Sequence, residues 1–294
     1  MLARAAPLLF VLLWSSSFIS TKAGLRHLSP LLFVAIRLVS CALVLGILAV
    51  VLRRPWRPLA GRRWLHCAVA GALMNGVGLM APHAGLVIAP AAQIALVQSL
   101  TPLLTAVCGV MLLRERLGAG QWLGLVLGMA GVGLVVGQAA LQSATELDGL
   151  LLALVGVIGL VAGTLYFAKF CRGVPLLTGS FVQFTSAAAL AMLCTWSLET
   201  PRADWTAVTV AALAWNSLVV SLGGMGLYFV MLVHGTAARA TANFYLVPGT
   251  VALMAWMLLG EPLTLVAVAG IILASAGCWL VNAAPAATEG IDGR

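Results

Sequence analysis

Apolar residues in this chain come in unbroken runs rather than in alternation with polar ones, as in LGLVLGMAGVGLVVG at 123–137. A half-buried strand would alternate every second residue, and a helix on a soluble core would show one apolar stripe. A run that is apolar on every face fits a helix surrounded by lipid. Crossing the hydrocarbon takes about 20 such residues. Ten runs fit between polar or Pro/Gly breaks, at about 6–25, 30–52, 64–86, 92–113, 119–138, 149–168, 175–198, 206–232, 242–259 and 264–283. The pattern predicts an all-α membrane protein with ten transmembrane helices. A closed barrel, the other architecture that satisfies its backbone in lipid, would need alternating segments of about ten residues. Ten spans leave short loops and no soluble catalytic domain.

Two stretches match at long range. Residues 100–117 read LTPLLTAVCGVMLLRERL and residues 246–263 read LVPGTVALMAWMLLGEPL, so Pro102 and Glu115 recur as Pro248 and Glu261 at an offset of 146. At the same offset Gly120, Gly124 and Gly128 become Val266, Gly270 and Ala274. Trp64 and Asn75 are eleven apart, as are Trp205 and Asn216, and Ser29-Pro30-Leu31-Leu32 is echoed by Val174-Pro175-Leu176-Leu177. Five helices per copy is an odd number, so the second copy enters the membrane upside down. The expected organisation is a first five-helix repeat over 1–140, a second, inverted repeat over 141–284, and a small, polar, disordered tail over 285–294. Inverted repeats of this kind belong to alternating-access transporters, whose site lies near the midplane between the halves.

Composition agrees: 62% of the 294 residues are hydrophobic and 8% charged, and mean hydropathy is +1.10. A net charge of +8 would suggest nucleic acid in a soluble protein, but here Arg and Lys sit between the apolar runs and read as topology determinants. With the N-terminus inside, twelve of the sixteen fall on the inner side: Arg4, Arg53, Arg54, Arg57, Arg62, Arg63, Arg114, Arg116, Lys169, Arg172, Arg239 and Arg294. Both termini are therefore expected in the cytoplasm, and the first run is a membrane helix rather than a cleaved signal. The six cysteines have no metal-like spacing, so neither metal nor cofactor is expected. The expected partners are a small-molecule substrate and membrane lipid, with no nucleic acid, for a chain acting as a monomer.

The opening LLWSSSFISTKAGLRHLSPLLFVAIRL, with Trp14-Ser15-Ser16, Lys22, Ser29-Pro30 and Arg37, resembles that of EamA-type members of the drug/metabolite transporter superfamily, and the ends of both halves resemble its paired signature. The resemblance covers essentially the whole chain. It implies ten helices in two inverted five-helix halves and export of small metabolites or amino acids across a bacterial inner membrane. Within the superfamily the chain is most similar to YddG-type exporters of aromatic and other amino acids. The Arg-Glu-Arg of the first signature faces Gly-Glu-Pro in the second, so equal roles for Glu115 and Glu261 do not follow.

Polar groups in hydrocarbon are costly and should face the bundle interior. Asn75, Gln93, Gln98, Asn216 and Asn243 are too large to be satisfied by their own turn and are candidate cavity residues, whereas a lone Ser or Thr can bond its own backbone. Trp14, Tyr166, Tyr228 and Tyr245 offer flat walls with a polar tip, and Ser16 and His83 complete the candidate substrate site. Arg37 is the deepest cation, read as a structural anchor or a partner for a substrate carboxylate. The glycines of the fifth run suit close helix packing. Pro102 and Pro248 are candidate gating points, with a static bend or a helix start as the competing reading.

None of the eight carboxylates lies in mid-span, which disfavours a carboxylate-centred proton antiport of bulky cations. A neutral or zwitterionic substrate is expected. Efflux of drug-like compounds by the same fold is the nearer rival. A membrane-embedded transferase is the other, but H-E-x-x-H, G-x-S-x-G and paired intramembrane acids are missing from the sequence.

Overall fold

The computed structural model describes residues 2–51, 59, 61–89, 94, 97–113, 117–140, 147–259 and 265–283. The described helices are α1 (Leu2–Leu25), α2 (Pro30–Val51), α3 (Arg63–Ile88), α4 (Thr101–Leu113), α5 (Ala119–Ala140), α6 (Leu147–Phe170), α7 (Leu176–Leu198), α8 (Ala207–His234), α9 (Ala237–Ala242), α10 (Val247–Leu259) and α11 (Leu265–Ala283). No β-strand occurs among the described residues, and Leu28 and Ala203 form an isolated antiparallel bridge. Six of these segments are long and apolar enough to cross a membrane, and α4 and part of α11 are shorter apolar helices. Gln93, Pro90, Glu115, Glu261 and the tail 285–294 lie outside the described residues.

In lipid, apolar side chains gain nothing by meeting one another rather than acyl chains, so association depends on close packing and hydrogen bonds. Glycine provides the close packing. A Cβ at Gly277 of α11 would collide with the backbone of Gly128 and Gly124 of α5, and one at Gly131 would collide with Ala274 and Gly270. Rising numbers on α5 meet falling numbers on α11, so the two run antiparallel. Gly133, counted with the packing glycines in the sequence, has open space at its Cβ position instead. The α3–α6 pair repeats the device: Gly149, Gly156, Gly159 and Gly163 of α6 take up Gly85, Pro82, Val77 and Met74 of α3, again antiparallel.

Two connections interlock as well. Glu199, just past α7, accepts from Ser29 Oγ at 2.9 Å and from the backbone N–H groups of Leu31 and Leu32 at 3.2 and 2.8 Å. The first turn of α2 has no intrahelical partners for those donors, and a carboxylate suits the positive end of a helix. Ser29 N donates to Arg202 O and Asp204 N to His27 O, tying the α1–α2 and α7–α8 connections together on one face. With Gly46 late in α2 lying beside Phe181 early in α7, α2 and α7 are antiparallel too. At the opposite end the chain reverses between α6 and α7 through Gly173 at φ 75°, a left-handed conformation that favours glycine.

Two expected runs differ from continuous spans. The run placed at 242–259 starts earlier: α9 begins at Ala237 with Thr236 as its N-cap, accepting from Arg239 N at 3.2 Å, and a 3-10 turn over Asn243–Leu246 leads into α10. The run placed at 92–113 is helical at 97–98, turns at Ser99 and Leu100, and resumes as α4 at Thr101. Pro102 and Pro248 are each the second residue of the resumed helix. A proline has no N–H to give to the preceding turn, so the hydrogen-bond ladder is interrupted where each turn meets its helix.

Candidate functional site

The two breaks face one another. A cavity is lined by Gln98 and Ser99 from the first break, by Phe244, Val247 and Pro248 from the second, and by Phe18 of α1. A second cavity holds Trp14, Asn75, Gln98 and Met225, and a third holds Phe18, Arg37, His83 and Gln98. Gln98 is common to all three, so they form one chain of spaces through the crossing of the broken helices. Each has room for about one water molecule, and a substrate enters only when the surrounding helices part.

Asn75 lies in a π-helical turn of α3, Ala72–Val77, fully buried, and neither its Nδ2 nor its Oδ1 has a hydrogen-bond partner. Such an amide costs about 1–3 kcal/mol unsatisfied, and π-turns are frequent at functional sites. Its counterpart Asn216 lies in the π-helical turn of α8, Trp215–Gly224, but is fully bonded. Asn216 Nδ2 donates to Ser20 Oγ at 2.8 Å and to Ala212 O at 3.0 Å, while Oδ1 accepts from Arg37 Nη1 at 3.0 Å and from Thr21 Oγ1 at 3.4 Å. Arg37 Nε also donates to Ser221 Oγ at 2.6 Å. Arg37 is 1% exposed, so α1, α2 and α8 are joined around a buried cation whose hydrogen-bond partners are neutral.

His83 Nδ1 bonds Leu79 O at 2.7 Å, which makes Nδ1 the donor. In the neutral ring Nε2 is then an acceptor, and it is buried without a partner. Trp14 belongs to an aromatic cluster with Phe10, Tyr228 and Phe244 at centroid separations of 5.2–5.8 Å. The Tyr228 hydroxyl is held by Thr164 Oγ1 at 3.0 Å, so this tyrosine forms a wall and offers no free polar tip.

The remaining candidates stand elsewhere. Ser16 donates to Leu13 O at 2.7 Å and accepts from Nε1 of the partly exposed Trp215 at 2.9 Å. Tyr166 sits at the far end of α6, 2.8 Å from His66 Nδ1 and in contact with the Phe170 ring. Asn243 Nδ2 donates to Arg239 O and Ala240 O of its own turn, contrary to the expectation that this amide is too large for that, and its Oδ1 accepts from Cys278 Sγ of α11 at 3.7 Å. Tyr245 lies against Gly128, its hydroxyl buried and unpartnered. Thus Trp14, Asn75, His83, Gln98 and Pro248 meet at the cavities, while Ser16, Tyr166, Asn216, Asn243 and Tyr245 hold helices together.

Sequence reasoning left Arg37 between a structural anchor and a partner for a substrate carboxylate, and the structure places it both in the α1–α2–α8 junction and on a cavity wall. Its signal was present: it is the only Arg or Lys deep within an apolar run. The roles of Phe18 and Phe244 had no such signal, because phenylalanine in an apolar run is indistinguishable from one facing lipid.

The comparisons with known proteins agree with this architecture. The model of the EamA-like transporter family matches twice, over residues 4–137 and 147–283. The uncharacterized transporter YvbV of Bacillus subtilis is 28% identical over 282 residues, covering 95% of this chain and 92% of its own length. A probable amino-acid metabolite efflux pump of Salmonella typhimurium is 27% identical over 291 residues, covering 93% and 92%. A solved protein structure, 20% identical, superposes with a TM-score of 0.79 over 96% of each chain and so shares the fold.

Proposed function

Because the chain belongs to the EamA-like transporter family, we propose that it is a secondary transporter exporting small neutral or zwitterionic metabolites, amino acids first among them, from the cytoplasm by alternating access. In this reading ten transmembrane helices form two inverted five-helix repeats in a bacterial inner membrane, with both termini cytoplasmic. The observation that carries it is the pair of broken helices, each resuming one residue before a proline, at Pro102 and Pro248. Discontinuous helices at corresponding positions of two repeats mark the substrate site in transporters of this kind. The antiparallel pairs α2–α7 and α5–α11, and the π-turns at Asn75 and Asn216, support the same relation between halves. The amino-acid class is favoured by the name of one relative and by cavities that mix an aromatic wall with amide and imidazole groups.

The described carboxylates Asp148, Glu199 and Asp204 lie at helix ends or in loops, so coupling does not run through them at membrane depth. Purified protein in proteoliposomes is expected to exchange labelled amino acids across the bilayer without a pH gradient. Accumulation driven by a pH gradient and surviving removal of His83 would overturn the coupling. Exchange of drug-like compounds only would overturn the substrate class. Gating at the breaks predicts that Pro102→Ala and Pro248→Ala slow exchange while leaving substrate affinity near that of the parent. Unchanged exchange rates in both variants would make the prolines static helix starts.

A further inference from the structure

We infer that Arg37 is the anchor for a substrate carboxylate, and that His83 Nε2 takes the ammonium of the same zwitterion. The inference rests on the transport reading above and gives its site a polarity. It begins from a charge without a counter-charge. Arg37 is buried 1% exposed in a membrane helix, and its partners, Ser221 Oγ and Asn216 Oδ1, are neutral. Neutral acceptors hold a guanidinium in place but leave its charge uncompensated, and this is costly in a medium of low dielectric. Guanidinium carries five N–H donors in a planar fork. Those two bonds take Nε and Nη1, leaving Nη2 without a partner among the described residues.

Arg37 lines the same small cavity as His83 and Gln98, and none of the residues lining that cavity is acidic. A ligand that brings its own carboxylate supplies what the site lacks, and guanidinium–carboxylate pairs are among the strongest charge-assisted bonds. His83 supplies the complementary half. With Nδ1 committed to Leu79 O, the buried Nε2 is an acceptor with nothing to accept. An acceptor cannot bond a carboxylate, which has no proton to give, but it can take an N–H of an ammonium whose charge is balanced by the carboxylate it travels with. The α-carboxylate and α-ammonium of an amino acid sit on one carbon, so donor and acceptor on one small cavity match them. The substrate side chain then extends past Gln98 toward Trp14 and Asn75 in the adjoining cavity.

Wild-type protein in proteoliposomes tests this by counterflow of a panel of labelled neutral L-amino acids, each competed by the unlabelled parent and by its carboxamide, which keeps the ammonium and lacks the carboxylate. The carboxamide is expected to compete about 10- to 100-fold more weakly than the parent. Replacing Arg37 could unfold the α1–α2–α8 junction, so the paired variant is Asn216→Asp, which sets a carboxylate against the guanidinium and keeps the acceptor for Arg37 and Thr21 while giving up the donation to Ser20 Oγ and Ala212 O. Asn216→Asp is expected to keep a cooperative melt, with the new ion pair to Arg37 offsetting the lost donation to Ala212 O, and to lose most of the discrimination between parent and carboxamide. Equal competition by parent and carboxamide in wild type, or unchanged discrimination in a folded Asn216→Asp, overturns the role of Arg37 while the transport reading stands. If no amino acid of the panel shows counterflow, the substrate class falls and the inference falls with it.

Discussion

At the scale of single residues, two asparagines with the same position in the repeat do opposite work. Asn216 is saturated, with Ser20, Thr21, Arg37 and Ala212 as partners, whereas Asn75 faces a cavity with neither polar atom paired. Removing a satisfied group strands its partners, while removing an unsatisfied one relieves a penalty. Asn216→Leu leaves the Arg37 guanidinium without its Nη1 acceptor and is expected to cost about 3 kcal/mol, as for a broken buried charge contact. Asn75→Leu is expected to be as stable as the parent or about 1 kcal/mol more stable, yet to lose exchange activity. Thermal unfolding in detergent with counterflow on the same preparations measures both. An Asn75→Leu protein that melts far below wild type would show a structural amide instead. From the sequence these two residues were indistinguishable. Each is an amide eleven residues after a tryptophan, and what separates them is the residues packed opposite.

At the scale of elements, backbone proximity and capping do the holding. Gly277 allows α11 to approach Gly124 and Gly128 of α5, where a side chain would meet backbone that has no rotamer to give. Gly277→Leu is therefore expected to lower stability by about 3 kcal/mol or more, read as a clear fall in melting temperature. Gly133→Leu, whose Cβ position is open, is the matched control and should leave the melting temperature near that of wild type. Glu199 reaches from the end of α7 to the first turn of α2, and Glu199→Ala is expected to cost about 1–2 kcal/mol through loss of the cap. Glu199→Gln, which keeps one acceptor oxygen, should recover part of that loss in the same melt. The packing role of Gly124 and Gly128 and the prolines at the breaks were legible in sequence, because small residues and missing N–H groups act locally, whereas the open side of Gly133 and the packing glycines of α6 depend on what lies opposite. The partner of Glu199 was not legible, since it lies 167–170 residues away.

At the scale of the whole molecule, the interlocked loops make topology testable. The α1–α2 and α7–α8 connections are bonded to each other and share one face, and the α6–α7 turn at Gly173 follows the opposite end of α6. In a protein cleared of its six native cysteines, a membrane-impermeant maleimide applied to intact cells is expected to label Arg202→Cys and to spare Arg172→Cys. Labelling in inverted vesicles should reverse the pattern. The same side for both, in either preparation, would contradict two inverted halves. The interior spaces are closed to about the size of one water, so a substrate is admitted only when the surrounding helices part.

The sequence by itself determined the membrane setting, the apolar segments, the doubling of the chain and the small set of polar residues that must face inward. Hydrophobicity and helix-breaking are local properties that add along a chain, and so they can be read in order. Only the tertiary structure decided which of those polar residues are spent on holding helices and which face a cavity. Satisfaction of a buried donor or acceptor depends on what packs opposite, as with Arg37 and Asn216, 179 residues apart. The junction of the two broken helices has the same origin: each proline announces its own break, but only packing brings the two breaks face to face around Gln98.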